Sequence, residues 1–172
     1  ECLNEKTPLQ AITPMTLAET ASIFCETIVT EAALREARSR DEVFAILETD
    51  LIGKTQVIVD ITSRFLFEQE VFARRAKAEL SAEDLCDMMV RAQKATYGDG
   101  LDERYLHPYM WTWKPHYYYP GLSFYNFPYA FGLLFGIGLY AIYQQRGEAF
   151  VPEYEALLAS TGDANAADLA AR

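Results

Sequence analysis

A chain of 172 residues has room for one domain and excludes a multidomain assembly. Hydrophobic residues at 51% and charged residues at 23% give a globular composition, which excludes intrinsic disorder. With 25 acidic residues against 15 basic ones the net charge is −10, a sign that repels phosphate backbones and anionic lipid and so excludes general nucleic-acid and membrane-surface binding.

The pattern along the chain is helical from end to end, and all of it (1–172) reads as one all-α domain. Residues 1–13 are a polar approach closed by Pro14. From Met15 an apolar stripe at helical spacing (Leu17, Ala21, Phe24, Cys25, Ile28, Val29, Ala32) predicts a helix to about Ala37. A charge-rich break at 35–41 precedes a second long helix from about Glu42 to Glu79. Its stripe is Phe44, Leu47, Leu51, Val57, Ile58, Ile61, Phe65 and Phe72, with Gly53 as a weak point. Ser81, followed by Glu83 and Asp84, reads as an N-cap with acidic residues in the first turn, opening a helix to about Thr96 that Gly98 and Gly100 end. Three prolines between 101 and 121 prevent a continuous helix there. Residues 129–143 are apolar on every side. They fall short of the roughly 20 apolar residues a membrane span needs, so they read as a buried helix packed closely at Gly132, Gly136 and Gly138. A short helix opens near Pro152, Ser160 to Asp163 form a turn, and residues 164–172 close the chain as an amphipathic piece.

Three features bear on chemistry. Glu19, Ser22 and Glu26 differ by three and four, so they share one helix face next to the apolar stripe. That face reads either as a solvated helix edge or as a metal-binding carboxylate followed by a second carboxylate that orients a histidine ligand. The segment 107–129 concentrates Tyr, Trp and His. It suits the wall of a peptide cleft, with Tyr117 and Tyr118 lining it, and equally a structural aromatic cluster. The three cysteines, at 2, 25 and 86, form neither a disulfide framework nor a metal cluster, and Cys25 and Cys86 read as buried thiols of a protein kept in a reducing, cytoplasmic compartment. Two histidines, His107 and His116, are too few for a self-contained zinc hydrolase.

A family resemblance follows from particular residues. The run Pro14-Met-Thr-Leu-Ala-Glu19-Thr-Ala-Ser22-Ile-Phe-Cys-Glu26 resembles the segment that follows the H-E-x-x-H helix in oligoendopeptidase F-type zinc peptidases of the thimet-oligopeptidase-like group. Trp113-Lys-Pro-His116-Tyr-Tyr and Phe124-Tyr125-Asn-Phe-Pro-Tyr129-Ala-Phe-Gly132 are similar to that family's C-terminal His/Tyr signature. The resemblance implies zinc as cofactor and Glu19 as one zinc ligand. Glu26, with Ser22 between the two carboxylates, would orient a ligand histidine. His116 and Tyr129 would steady the oxyanion formed on the scissile carbonyl, with Tyr125 as substitute for or partner to Tyr129. It further implies short peptides as substrates and the C-terminal part of a zincin-type catalytic domain. H-E-x-x-H is absent, so the chain is expected to be truncated at both ends, catalytically inactive by itself and prone to self-association. The alternative is a non-enzymatic helical module that binds a peptide or a protein.

Overall fold

The structure, a computed structural model, describes residues 2–171. In chain order the helices are α1 (Thr20–Glu36), α2 (Arg40–Thr55), α3 (Thr62–Arg75), α4 (Ala82–Tyr97), α5 (Met110–Trp113), α6 (Pro128–Arg146), α7 (Val151–Ala159) and α8 (Ala166–Ala170). Among the described residues no strand forms, and the sole β-type pairing is an isolated bridge between Thr161 and Ala164. The fold class is all-α. The closing amphipathic piece was expected to reach Arg172, which, like Glu1, lies outside the described residues.

The helix ends follow local chemistry. The Ser81 hydroxyl accepts from the Asp84 N–H while the Asp84 carboxylate accepts from the Ser81 N–H, a reciprocal capping box. Gly98, at φ +54°, ends α4 in a backbone conformation that suits glycine. Pro152 sits in the first turn of α7, where its missing N–H costs nothing. The N-terminal helix departs from expectation. Met15–Leu17 makes one 3₁₀ turn, and α-helical geometry begins only at Thr20.

The second long helix departs further. It begins at Arg40 and is interrupted by a π-helical stretch, Gln56–Ile61, before α3 completes it at Arg75. The irregularity falls after Gly53, not at it. The expected apolar stripe is largely on the surface, with Phe44 67%, Leu51 61%, Ile58 56% and Phe72 58% exposed. In its place α3 buries Ser63, Arg64, Phe67 and Glu68. A π turn inserts a residue and rotates everything after it by about 100° about the axis, so a phase set over residues 44–55 does not continue past 61.

The chain forms two compact units, one of residues 1–50 with 131–172 and one of residues 51–130. The first has a core of Phe24, Leu139, Tyr140 and Phe150, joined by Ile28, Phe135 and Tyr154. There α1 and α6 approach at two glycines. A Cβ on Gly136 would stand 3.2 Å from the Phe24 nitrogen, and one on Gly132 only 2.8 Å from the Glu19 Cβ. Gly138 faces open space and Leu134 is 69% exposed, so α6 is not buried on every side. The second unit packs α3 against α4 and α5 around Phe67, Met88, Met89, Ala92, Met110 and Tyr117.

Candidate functional site

In the 1–50/131–172 unit, Glu19 is half-buried at the N-terminus of α1, and the Ser22 hydroxyl donates to its carbonyl oxygen at 3.0 Å. Ser22 and Glu26 are exposed. The helix turns Thr20, Ile23 and Phe24 inward, which points the Ser22 and Glu26 positions away from the core, contrary to the expectation that the face would abut it. Cys25 is exposed for the same reason and Cys86 is half-buried, so neither is the fully buried thiol expected.

The 51–130 unit brings the aromatic segment together. Pro115 starts a 3₁₀ turn through Tyr117, which fixes the His116 backbone, and Pro128 opens α6, which carries Tyr129 on its first turn. Between them the chain doubles back, and the Tyr125 N–H donates to the His116 carbonyl at 3.0 Å. The outcome is a compact group: His116 Nε2 lies 3.2 Å from the Tyr129 hydroxyl, and the Tyr125 ring meets the Tyr129 ring edge-on at 5.7 Å. Phe124 precedes this group at φ +60°, the one side-chain-bearing residue with positive φ among those described. That conformation costs on the order of 1 kcal/mol. Its ring is held against Phe72 at 4.6 Å and Tyr117 at 6.1 Å.

Tyr117 and Tyr118 part company. Tyr117 is a core residue, 5% exposed, its hydroxyl directed at the Arg64 carbonyl and its acidity suppressed chiefly by burial. Tyr118 is 57% exposed, and its hydroxyl donates to the Trp111 carbonyl at 2.7 Å. His107 is exposed, and its backbone N–H and C=O are both bound by the buried Gln93 amide at 2.9 Å.

Sequence reasoning missed the polar network beneath this group. Asp60, Arg64 and Glu68 follow at intervals of four and share one side of the π/α3 helix. Arg64 pairs with Asp60, which also accepts from the Tyr97 hydroxyl at 3.0 Å. Glu68 accepts from the amide of Asn126, the residue after Tyr125. Arg64, Glu68 and Asn126 are each exposed by 3% or less. Burial pushes the Glu68 carboxyl up from 4.5 to about 7, against the opposing pull of the Asn126 hydrogen bond and the Arg64 charge. Burial and the neighbouring Asp60 likewise raise the Tyr97 hydroxyl to about 12. The four-residue spacing was the available signal, although charges at that spacing ordinarily mark a solvated face.

A catalytic zinc needs about three protein ligands. Among the described residues no three His, Cys, Asp or Glu side chains come together to hold a metal ion, so this donor set does not fit zinc by itself. Nor is any described helix long and apolar enough to cross a membrane.

The described residues are all-α and present a half-buried His–Tyr pair on an aromatic turn, and the curated proteins this chain is similar to are named as oligopeptidases. The chain is 32% identical over 117 residues to Group B oligopeptidase PepB of Streptococcus agalactiae serotype III (strain NEM316), covering 67% of this chain and 19% of the relative. It is also 32% identical over 120 residues to the chromosomal oligoendopeptidase F of Lactococcus lactis subsp. cremoris, covering 69% and 19%. The oligoendopeptidase F homolog of Lactococcus lactis subsp. lactis (strain IL1403) matches equally, at 32% over 120 residues. The relationship is one of family, and the chain spans about a fifth of the length of these relatives. No protein-family model and no solved structure matches it.

Proposed function

We propose that this chain is a segment of a zinc-dependent oligoendopeptidase acting on short peptides in the cytoplasm, and that His116 and Tyr129 serve it as an oxyanion clamp. The observation that carries the reading is the 3.2 Å approach of His116 Nε2 to the Tyr129 hydroxyl. With a proton on Nε2, the imidazole donates to the tyrosine oxygen, which sets the phenolic O–H as the group that would turn to a substrate acceptor. An oxyanion growing on a peptide carbonyl is such an acceptor, and it binds the donor more tightly than the ground-state carbonyl does. Tyr125, packed edge-on against Tyr129, limits its rotation or substitutes for it. Glu19 is proposed as one zinc ligand in the longer protein, with Glu26 and Ser22 orienting a histidine ligand supplied from outside this chain. Cys2, Cys25 and Cys86, all free thiols, suit a reducing compartment.

The test uses the product of the full reading frame. An in-frame H-E-x-x-H upstream of Glu1 and turnover of a fluorogenic short peptide are expected. Tyr129→Phe and His116→Ala are expected to lower kcat by roughly 10²-fold or more while KM changes little. A stop codon immediately upstream, or unchanged kcat in both variants, would refute the reading. One observation favours a peptide-binding module instead. Tyr105, Tyr109, Trp113, Tyr118 and Tyr119 are all 57–72% exposed within fifteen positions. Peptide binding without turnover, unaffected by either variant, is the outcome that reading requires.

A further inference from the structure

The turn carrying His116 and Tyr125 is anchored from below at one point of particular chemistry. Asn126 is 1% exposed, its Nδ2 donates to Glu68, and its buried Oδ1 accepts no hydrogen bond among the described residues. Its neighbours on the N-terminal side are Tyr125, bonded through its N–H to the His116 carbonyl, and Phe124 at positive φ. A strained residue persists only where its surroundings over-determine it, and the Phe124 ring packs against those of Phe72 and Tyr117 two residues before Asn126. We propose that Glu68 is the positioning residue for the His116–Tyr125–Tyr129 group, acting by its grip on the buried Asn126 amide, and that the grip changes with the protonation state of its carboxyl. The proposal rests on the oxyanion-clamp reading for what that group does.

The two states follow from donor and acceptor inventory. An ionised Glu68 has only acceptors, and it takes the Asn126 N–H. A protonated Glu68 has an O–H to give, and the unused Asn126 Oδ1 is an acceptor on the same side chain. A half-turn of the amide then exchanges one satisfied pair for the other. Such a buried pair has a strong preference at each protonation state, because an unmatched donor or acceptor there has no water to turn to.

The neighbouring charges leave Glu68 as the group that switches. On its own helix the nearest is Arg64, already paired with Asp60. On the 114–126 segment it is Tyr117, whose acidity the Glu68 charge suppresses further. From α4, the packed residues Met88, Met89 and Ala92 are apolar, while Arg91 and Asp84 pair with Glu70 and Arg74 on α3. The rise of the Glu68 carboxyl to about 7 brings the exchange into the neutral range.

The test pairs an activity-free readout with a kinetic one. In the ¹⁵N-labelled chain, the Asn126 side-chain amide and the Tyr125 backbone amide are expected to titrate together with a midpoint near 7. His116→Gln should retain that transition at Asn126 and Glu68→Gln should abolish it. Persistence in Glu68→Gln, or loss in His116→Gln, would overturn the proposal. In the full reading-frame product, Glu68→Ala is expected to lower kcat for a fluorogenic short peptide at least tenfold with KM within about twofold. Glu68→Gln, which keeps an oxygen for the Asn126 N–H, should recover most of that loss. Equal losses in Glu68→Ala and Glu68→Gln would overturn a positioning role. An inactive wild-type product together with the stated NMR pattern would overturn the peptidase reading and support the Glu68 grip.

Discussion

Glu68→Gln is also the sharpest test of the structure's energetics. The side chain is 3% exposed, and its carboxyl rises from 4.5 to about 7, with burial the largest cause. Between those two values the folded chain binds more protons than the unfolded one, so stability falls as pH rises. The favourable contribution is complete below about pH 4.5 and is gone once the pH passes through about 7. At roughly 1.4 kcal/mol per pH unit, the interval from 4.5 to about 7 is worth about 3 kcal/mol. Glutamine keeps the oxygen that accepts from Asn126 and never ionises. The variant is therefore expected to match the wild type near pH 4.5 and to exceed it by about 3 kcal/mol at pH 8.5. For a chain of this size that is roughly 6–12 °C in Tm. Urea melts of both proteins, followed by far-UV circular dichroism at pH 5 and pH 8.5, read the difference directly, and the other titrating groups cancel between the two chains. A gap that stays constant with pH, or one that opens toward acid, would refute the reasoning.

Other outcomes follow from the packing. Gly132→Ala places a Cβ 2.8 Å from the Glu19 Cβ and 3.0 Å from its backbone carbon, and is expected to destabilise by roughly 1–3 kcal/mol in thermal melts. Gly138→Ala, on the same helix but in open space, is expected to stabilise by up to about 1 kcal/mol. Met89→Ala, at a site with no exposed surface, should cost roughly 2–5 kcal/mol in urea denaturation. The 172-residue chain with added zinc is expected to show no peptide turnover, because one carboxylate does not hold a catalytic ion. Its molar mass by light scattering should rise with concentration, since Phe44, Leu51 and Ile52 on α2 are each more than 60% exposed.

What could be read from the sequence was what depended on neighbours within a turn or two. Ser81 announces α4 because its capping partner is three residues away, and Gly98 ends the helix by its own backbone freedom. The glycines of α6 are half legible. Gly132 and Gly136 are four apart and share a face, whereas Gly138 lies about 200° around the helix from Gly136 and meets nothing. The second long helix was misread because its phase is not constant. The π turn at 56–61 offsets the apolar pattern on its two sides, and no residue within it signals the insertion.

The site divides along the same line. His116, Tyr125 and Tyr129 lie within fourteen positions, so a linear motif could mark them and the fold had only to close a short turn. Glu68 and Asn126 are separated by 58 positions; Asn126 falls inside the 124–132 run, which gave it no role, and Glu68 lies in no motif. A buried carboxylate also contradicts the reasoning that sorts residues by transfer free energy, since an isolated ion in the interior is strongly unfavourable. The structure resolves the contradiction by company: an amide donor from the far segment, an arginine one turn away, and a carboxyl near enough to neutrality to shed its charge. Of those three only the arginine lies at a helical spacing, and that spacing ordinarily marks a solvated face. A polar residue retained in a core at this cost has reason to be doing something a leucine would not, and here the atom it holds belongs to the residue next to Tyr125. The place where hydrophobic patterning fails is thus one residue from the place where the chemistry is proposed, as expected where stability has been given up for geometry.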